Sequence, residues 1–158
     1  KKTNALRILD THHIAYTIDE YEWSEERGQG VHVADELGLD EKEVFKTLVG
    51  KGDKTGYVVF CIPVAEELDM KQAARVSGNK SVELIHVKDL LGITGYLRGG
   101  CSPVGMKKLF PTYWLINTSA ASSFPSIVTF ETSGFSSSFF CSLQRTILFS
   151  PSTIHRKT

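Results

Sequence analysis

Residues 94–111 form a glycine-rich segment whose composition is typical of a ligand-binding loop. The segment holds a Gly-Gly pair, two further glycines, a Ser-Pro step and two adjacent lysines between apolar stretches. Gly99-Gly100 would allow positive φ and bring peptide N–H groups close to a ligand, where successive dipoles hold an anion or a developing oxyanion. Positive charge at the rim would come from three side chains: Arg98, Lys107 and Lys108.

The stretch Gly100 to Gly105 shares the six-residue frame of a nucleotide P-loop but lacks its chemistry. A P-loop requires Lys directly after the second glycine and then Ser or Thr, whereas Met106 stands there in this chain. Pro103 also removes one N–H from the cradle. We therefore exclude nucleoside triphosphate binding by this loop.

Lys46 is the second candidate for chemistry, because it lies inside the apolar run Val44 to Val49. Lysine is rarely buried without a partner or a function. Taken alone, the pattern favours an edge-strand lysine whose ammonium reaches solvent.

The elements that must position these residues follow from caps, turns and alternation. Thr3 is a plausible N-cap for a helix ending near His12-His13, and alternation predicts a strand from Ile14 to Tyr21. The glycine-rich turn after Val49 makes two apolar runs hairpin partners. Further elements are expected at these positions: a helix over Val31–Leu37, hairpin strands over Val44–Val49 and Tyr57–Ile62, a helix that follows the N-cap Asp69 and runs through Val76, a strand over Val82–Val87 and a helical turn over Lys88–Leu91 stopped by Gly92. Short helices that alternate irregularly with hairpins indicate the α+β class.

Composition limits the possible partners. The 158 residues have 41% hydrophobic content and a formal net charge of zero, which argues against DNA binding through a basic face.

The sequence has no apolar run of membrane-span length, so a cytoplasmic location is the default expectation. Cys61, Cys101 and Cys141 are far apart, which suggests neither a disulfide framework nor a zinc site.

Several motifs, in order, resemble the YbaK/EbsC family of aminoacyl-tRNA deacylases. They are Phe45-Lys-Thr-Leu48, Glu67-Leu-Asp69 with Lys71 and Ala74, and above all Thr94-Gly-Tyr-Leu-Arg-Gly-Gly-Cys-Ser-Pro-Val-Gly-Met-Lys-Lys108. The resemblance covers residues 3 to 113. It implies a mixed, barrel-like β-sheet with surrounding helices, related to the editing domain inserted in prolyl-tRNA synthetases. It also implies removal of cysteine mischarged onto proline tRNA.

The resemblance assigns roles to particular positions. Lys46 matches the essential lysine, which would hold the terminal ribose or phosphate or polarise the ester carbonyl. Tyr21 matches a pocket aromatic, although sequence alone favours a core or edge residue. The aminoacyl pocket and its shape would come from the loop residues Gly99, Gly100, Cys101, Ser102 and Pro103. The substrate's own thiol would attack its ester carbonyl, and no metal or other cofactor is expected.

Other functions remain open. A cysteine hydrolase built on Cys101 is disfavoured because no histidine lies at a family-like spacing. One alternative is a deacylase for alanyl-tRNA, since small pockets separate such side chains by only about 1–3 kcal/mol per methylene. Another alternative is a non-catalytic module that binds tRNA or a synthetase. Aminoacylated tRNA is the expected partner, with prolyl-tRNA synthetase a further one.

The composition changes after residue 113, and this change predicts a boundary. Residues 1–113 are expected to form the core of one deacylase domain, and residues 114–158 an atypical serine-rich segment with a single acid, Glu131. The segment lacks the Gly-Lys/Arg-Gly turn typical of the family. Its composition fits a divergent terminus, a disordered tail or a change of reading frame, and the lack of globular periodicity favours the last.

Overall fold

The computed structural model describes residues 2–18, 29–42, 44–114 and 128–130. These residues form an α+β structure whose elements are, in chain order, α1 (Asn4–Thr11), α2 (Gln29–Glu36), β1 (Phe45–Gly52), β2 (Gly56–Pro63), α3 (Met70–Val76), β3 (Val82–Leu84), α4 (Val87–Thr94), β4 (Thr112–Trp114) and β5 (Val128–Phe130).

The β1–β2 hairpin is the centre of the sheet, and it forms where alternation predicted it. The two strands pair antiparallel from Phe45 opposite Pro63 to Gly52 opposite Gly56. The full strand order is β3-β1-β2-β4-β5, with β2 and β4 parallel and the other pairs antiparallel. The described strands form an open sheet with β3 and β5 at its edges, so the barrel-like closure implied by the resemblance is not seen in this part of the chain.

The two faces of the sheet have different roles. Alternate residues of a strand point to opposite faces, and one face packs on α3 to form the main core, which consists of Val58, Phe60, Ile62, Ala73, Ala74, Val82 and Tyr113. On the other face, Phe45 and Trp114 make an edge-to-face ring contact with centroids 5.2 Å apart. Thr47 lies on that face opposite Cys61. This second face is the one on which the glycine-rich segment lies.

Local capping explains two of the helices. Thr3 Oγ1 accepts the Leu6 N–H at the start of α1, and Asp69 Oδ1 accepts the Lys71 and Gln72 N–H groups at the start of α3. These bonds satisfy donors that would otherwise have no partner in the first turn. Both helices begin where the sequence predicted them.

Two local predictions are wrong. Residues 14–18 form no strand; Tyr16 instead donates its hydroxyl to Asp10 at 3.0 Å, which ties the segment to α1. The helix after β3 does not stop at Gly92 but continues to Thr94 and ends at Gly95, whose φ of 85° lies in the left-handed region. Gly92 is tolerated because a helix accepts an interior glycine at a modest cost.

Candidate functional site

A cleft of about 330 Å³ lies against β1 on the face that carries the glycine-rich segment. Three parts of the chain form its walls: β1 itself, the β3–α4 connection, and the glycine-rich segment. Its lining residues are Val33, Phe45, Lys46, Thr47, Leu48, Val49, Val64, Leu84, Ile85, Val87, Leu90, Arg98, Gly99 and Cys101. The sequence singled out two features, Lys46 and the glycine-rich segment 94–111, which is called the glycine loop below. Both of them contribute residues to the lining of this cleft.

The glycine loop is held in position from behind by buried polar groups. Thr94 is fully buried, and its hydroxyl donates to the Leu90 carbonyl at 2.8 Å while accepting the Tyr96 N–H at 3.1 Å. Tyr96 in turn donates its hydroxyl to the Val104 carbonyl at 2.7 Å. These bonds tie the start of the loop to α4 and join Tyr96 to Val104 across the loop, so the loop has a defined shape.

Ser102 and Pro103 support the loop and do not line the cleft. The Ser102 side chain is fully buried, and its Oγ accepts the Val104 N–H at 3.0 Å. This is a local side-chain-to-backbone bond of the kind that shapes a turn. The structure therefore gives Ser102 a supporting place behind the pocket wall.

The two glycines of the Gly-Gly pair differ. Gly99 lines the cleft and has φ of 84°, a conformation that other residues adopt only with strain. Gly100 lacks positive φ, is buried, and donates its N–H to the Leu97 carbonyl at 3.1 Å. The positive φ that the Gly-Gly pair allows is therefore taken by Gly99, while the N–H of Gly100 closes the turn.

Lys46 is one of the residues that line the cleft. Its ammonium donates to the Val64 carbonyl at 3.1 Å. Partial burial lowers the pKa of Lys46, and the negative charges of Glu67 and Glu66 oppose this shift without cancelling it. A partly desolvated ammonium interacts more strongly with developing negative charge than one in bulk water does.

Cys101 lines the cleft but lacks the features of an activated thiol. Burial raises the pKa of Cys101 to about 11, despite an opposing hydrogen bond with Thr94. Cys61, behind it on β2, is fully buried and has a pKa raised to about 12. Among the described residues that line the cleft, none is a histidine that could act as a base. The geometry agrees with the sequence argument against a cysteine hydrolase.

The cationic rim is smaller than expected. Arg98 is exposed and lines the cleft. Lys107 and Lys108 are exposed but lie outside the lining, and the Lys107 ammonium is 3.4 Å from the Gly92 carbonyl. In the described part of the chain, no three His, Cys, Asp or Glu side chains form a group that could hold a metal ion.

Sequence reasoning missed most of the apolar wall. Thr47 adjoins Lys46 in the strand, and its hydroxyl lies 4.0 Å from the sulfur of Cys61. Alternation along β1 would have indicated that Phe45, Thr47 and Val49 share a face. No local pattern indicated that Val33 and Val87 would also line the cleft, because these residues come from α2 and α4.

The predicted pocket aromatic, Tyr21, lies outside the described residues.

A comparison with known families shows the family to which the chain belongs. The profile of the aminoacyl-tRNA editing domain matches residues 29–117, which span more than half of the chain. The chain belongs to the aminoacyl-tRNA editing domain family. The match includes β1, the β3–α4 connection and the whole glycine loop, and so all of the described cleft.

Individual relatives agree with this assignment. The editing domain described here is 53% identical over 113 residues to an Enterococcus faecalis protein that bears the provisional name Cys-tRNA(Pro)/Cys-tRNA(Cys) deacylase EbsC, covering 72% of this chain and 69% of that protein. A crystal structure provisionally described as a trans-editing enzyme for prolyl tRNA synthetase matches with a TM-score of 0.59 and 24% identity, over 72% of this chain and 73% of the other. The crystal structure of a hypothetical protein matches with a TM-score of 0.62 and 16% identity, over 92% and 97%. The two structural matches show a shared fold.

None of the described helices of this editing domain has the length and apolar character needed to span a membrane.

Proposed function

We propose that this editing domain hydrolyses the ester of cysteine mischarged onto proline tRNA. The observation that carries the proposal is the convergence of Lys46 and the glycine loop on one cleft in a chain that belongs to the editing family. The name of the Enterococcus faecalis relative supports the same substrate.

The substrate's thiol supplies the nucleophile in the proposed reaction. Its sulfur bonds to the ester carbonyl carbon, the bond from that carbon to the ribose oxygen breaks, and the electron pair and a proton go to the ribose hydroxyl. Water then opens the cyclic thioester and releases free cysteine. The protein supplies position and charge, which suits a cleft whose own Cys101 stays protonated near neutral pH.

Lys46 has the clearest role in this scheme. Its ammonium lies on the cleft wall beside Val64 and is partly desolvated, so we assign it to stabilising the oxyanion or holding the terminal ribose or phosphate. Gly99 and Cys101 line the aminoacyl pocket, while Gly100, Ser102 and Pro103 keep the loop in shape. Tyr21 remains a proposed pocket aromatic.

The decisive experiment compares deacylation of cysteinyl-tRNA carrying the proline anticodon by the native chain, Lys46→Ala and Lys51→Ala. Lys51 is the matched control, because it lies on the same strand, is exposed and does not line the cleft. We expect Lys46→Ala to lower kcat/KM by about 10²-fold or more and Lys51→Ala to leave it unchanged. Equal loss in both variants would contradict the assignment.

The same assay separates the alternatives. Alanyl-tRNA lacks the thiol, so substrate-assisted cleavage predicts no acceleration of its hydrolysis. Faster loss of alanine than of cysteine would identify an alanyl-tRNA deacylase, and binding of cysteinyl-tRNA without hydrolysis would identify a non-catalytic module. Prolyl-tRNA synthetase is the proposed partner that supplies tRNA selectivity, because a chain with zero net charge has little electrostatic attraction for the tRNA body.

A further inference from the structure

An exposed group of aliphatic side chains lies at the mouth of the cleft. Leu84, Val87 and Leu91 are 47%, 56% and 48% exposed, and together we name them the apolar shelf. Val87 and Leu91 are one turn apart on α4 and so share a face of the helix. Leu84 and Val87 also line the cleft. The shelf is therefore a continuation of the cleft wall onto the surface.

The clustering of three exposed aliphatic side chains in the apolar shelf calls for an explanation. Exposed aliphatic side chains that occur singly are normal, whereas a contiguous patch beside a pocket marks a binding surface. Within the described residues, five large apolar side chains are conspicuously exposed, and three of them form the shelf.

The size of the cleft determines which part of the substrate lies outside it. A volume of about 330 Å³ is near the lower limit of ligand pockets, which span about 300–1,000 Å³. The cysteinyl group and its ester, which must reach Lys46 and Gly99, occupy that space together with the ribose. The base attached to the same ribose must then lie at the mouth, within one sugar's reach of the ester.

The chemistry of the shelf fits a base better than a phosphate. Its side chains are uncharged, and on the adjoining first turn of α4 the opposite charges of Lys88 and Asp89 offset each other. A purine has a flat, weakly polar face that packs well on apolar side chains. Arg98, elsewhere on the cleft wall, is the cation available for a phosphate.

We propose that the apolar shelf receives the adenine of the tRNA's terminal nucleotide. The inference rests on the proposed function, because it takes the aminoacyl ester to lie in the cleft. A protein partner fits the shelf less well, because stable interfaces bury about 800 Å² on each side and three half-exposed side chains supply far less.

The test uses probes that bind without being cleaved. One is cysteine joined by an amide to 3′-amino-3′-deoxyadenosine; the other is the same amide of the amino sugar without its base. Dissociation constants are measured calorimetrically for the native chain, for the shelf variant Val87→Ser/Leu91→Ser, and for Leu109→Ser. Leu109 is the matched control, since it is 71% exposed and does not line the cleft.

We expect the shelf variant to weaken binding of the adenosine probe about tenfold more than binding of the baseless probe, because Val87 also lines the cleft. Leu109→Ser should bind both probes like the native chain. Equal affinity of native chain and shelf variant for the adenosine probe would overturn the proposal. Equal weakening of the binding of both probes by the shelf variant would also overturn it. So would a shelf variant that no longer associates with the synthetase but still binds the adenosine probe as tightly as the native chain does. If the melting temperature of the double variant is too low for calorimetry, Leu84→Ser, which changes the shelf residue on β3, is measured with the same two probes.

Failure of the proposed function would look different. A native chain that binds the adenosine probe through the shelf but does not hydrolyse cysteinyl-tRNA would sustain the shelf and remove the deacylase. A native chain that hydrolyses cysteinyl-tRNA but binds both probes equally well would sustain the deacylase and remove the shelf.

Discussion

At the scale of single residues, Lys46 is held at a cost in hydration. Its ammonium donates to the Val64 carbonyl, and burial lowers its pKa although the charges of Glu67 and Glu66 oppose the shift. A lower pKa in the folded chain means that the folded state binds its proton less tightly. Below that pKa the cost to stability is complete, and it disappears as the pH rises toward the ordinary value of 10.5.

The same shift predicts the pH dependence of the reaction. If the ammonium is the working form, kcat/KM, corrected for spontaneous ester hydrolysis, falls at alkaline pH with an apparent pKa below that of an ordinary lysine. Lys46→Arg keeps the charge at any accessible pH, so whatever activity it retains should lack this alkaline decline. An alkaline decline that is identical in native chain and Lys46→Arg would assign the titration to another group.

Cys101 is expected to be dispensable as a nucleophile. Burial keeps its thiol protonated, with a pKa of about 11, and thiols react as thiolates. We predict that Cys101→Ala retains cysteinyl-tRNA hydrolysis to within about tenfold, because it enlarges the pocket without removing a reacting group. Loss of turnover in a variant that still folds, judged by its circular dichroism and melting curve, would restore the cysteine hydrolase.

At the scale of elements, the glycine loop is built by backbone conformation and by its attachment to α4. Gly99 has φ of 84°, and an L-residue there costs about 1–2 kcal/mol. We predict that Gly99→Ala lowers the free energy of unfolding by that amount and lowers kcat/KM as well, because the residue lines the cleft. Urea titration and single-turnover kinetics measure the two effects separately.

Gly92→Ala is the natural control for that experiment. Gly92 lies inside α4, and a Cβ built there meets nothing within 4 Å. Alanine is better than glycine in a helix interior by up to about 1 kcal/mol, so Gly92→Ala should stabilise the chain and leave deacylation intact. Destabilisation by Gly92→Ala would contradict the open surroundings of Gly92, and unchanged stability of Gly99→Ala would contradict a conformational role for Gly99.

A second element-level contact joins the β1–β2 turn to the loop before β3. Asn79 is 8% exposed, and its Oδ1 accepts the N–H groups of Lys54 and Thr55, each at 3.0 Å. Its amide nitrogen donates to the hydroxyls of Ser77 and Thr55, each at 2.8 Å. These side-chain bonds add to the backbone bond between the same two segments, in which Asp53 donates its N–H to the Ser81 carbonyl at 3.2 Å.

We predict that Asn79→Ala destabilises the chain by about 1–3 kcal/mol, because it leaves two backbone donors without a partner. Asn79→Asp keeps the acceptor and loses the donors, so its melting temperature should be intermediate. The kcat/KM of the folded molecules should be unchanged in both, since Asn79 does not line the cleft. A melting temperature of Asn79→Ala equal to that of the native chain would show that water replaces the network at no cost.

At the scale of the whole molecule, charge balance limits how tRNA can be bound. The formal net charge is zero, and each phosphate contact on a single strand adds about −0.7 to the slope of log K against log salt. We predict a slope no steeper than about −2 for the amide-linked analogue of cysteinyl-tRNA, measured between low and physiological salt. A much steeper slope, or tight selective binding of uncharged proline tRNA by the chain alone, would contradict a role for a synthetase in selectivity.

The boundary near residue 113 stays a prediction. The family match extends to residue 117, and Val128–Phe130 pairs with β4. Most of residues 114–158 lie outside the described part of the chain, so the three interpretations of the serine-rich segment stand as the sequence left them.

The sequence by itself determined the features that depend on neighbours along the chain. The Thr3 and Asp69 caps and the β1–β2 hairpin follow from side chains and turns a few residues away, and each forms at its predicted place. Lys46 was conspicuous for the same reason, as a charge inside an apolar strand. The glycine loop was identified by its composition and by motif order.

The tertiary structure decided what depends on residues distant in sequence. The parallel pairing of β2 with β4 joins Val59 to Thr112, and no local pattern specifies a partner that far away. Which glycine of the pair takes positive φ depended on a hydrogen bond to Leu97. The apolar wall of the cleft, from Val33 to Val87, exists only because α2 and α4 pack beside β1, and that packing depends on burial across the whole chain, which no short segment encodes.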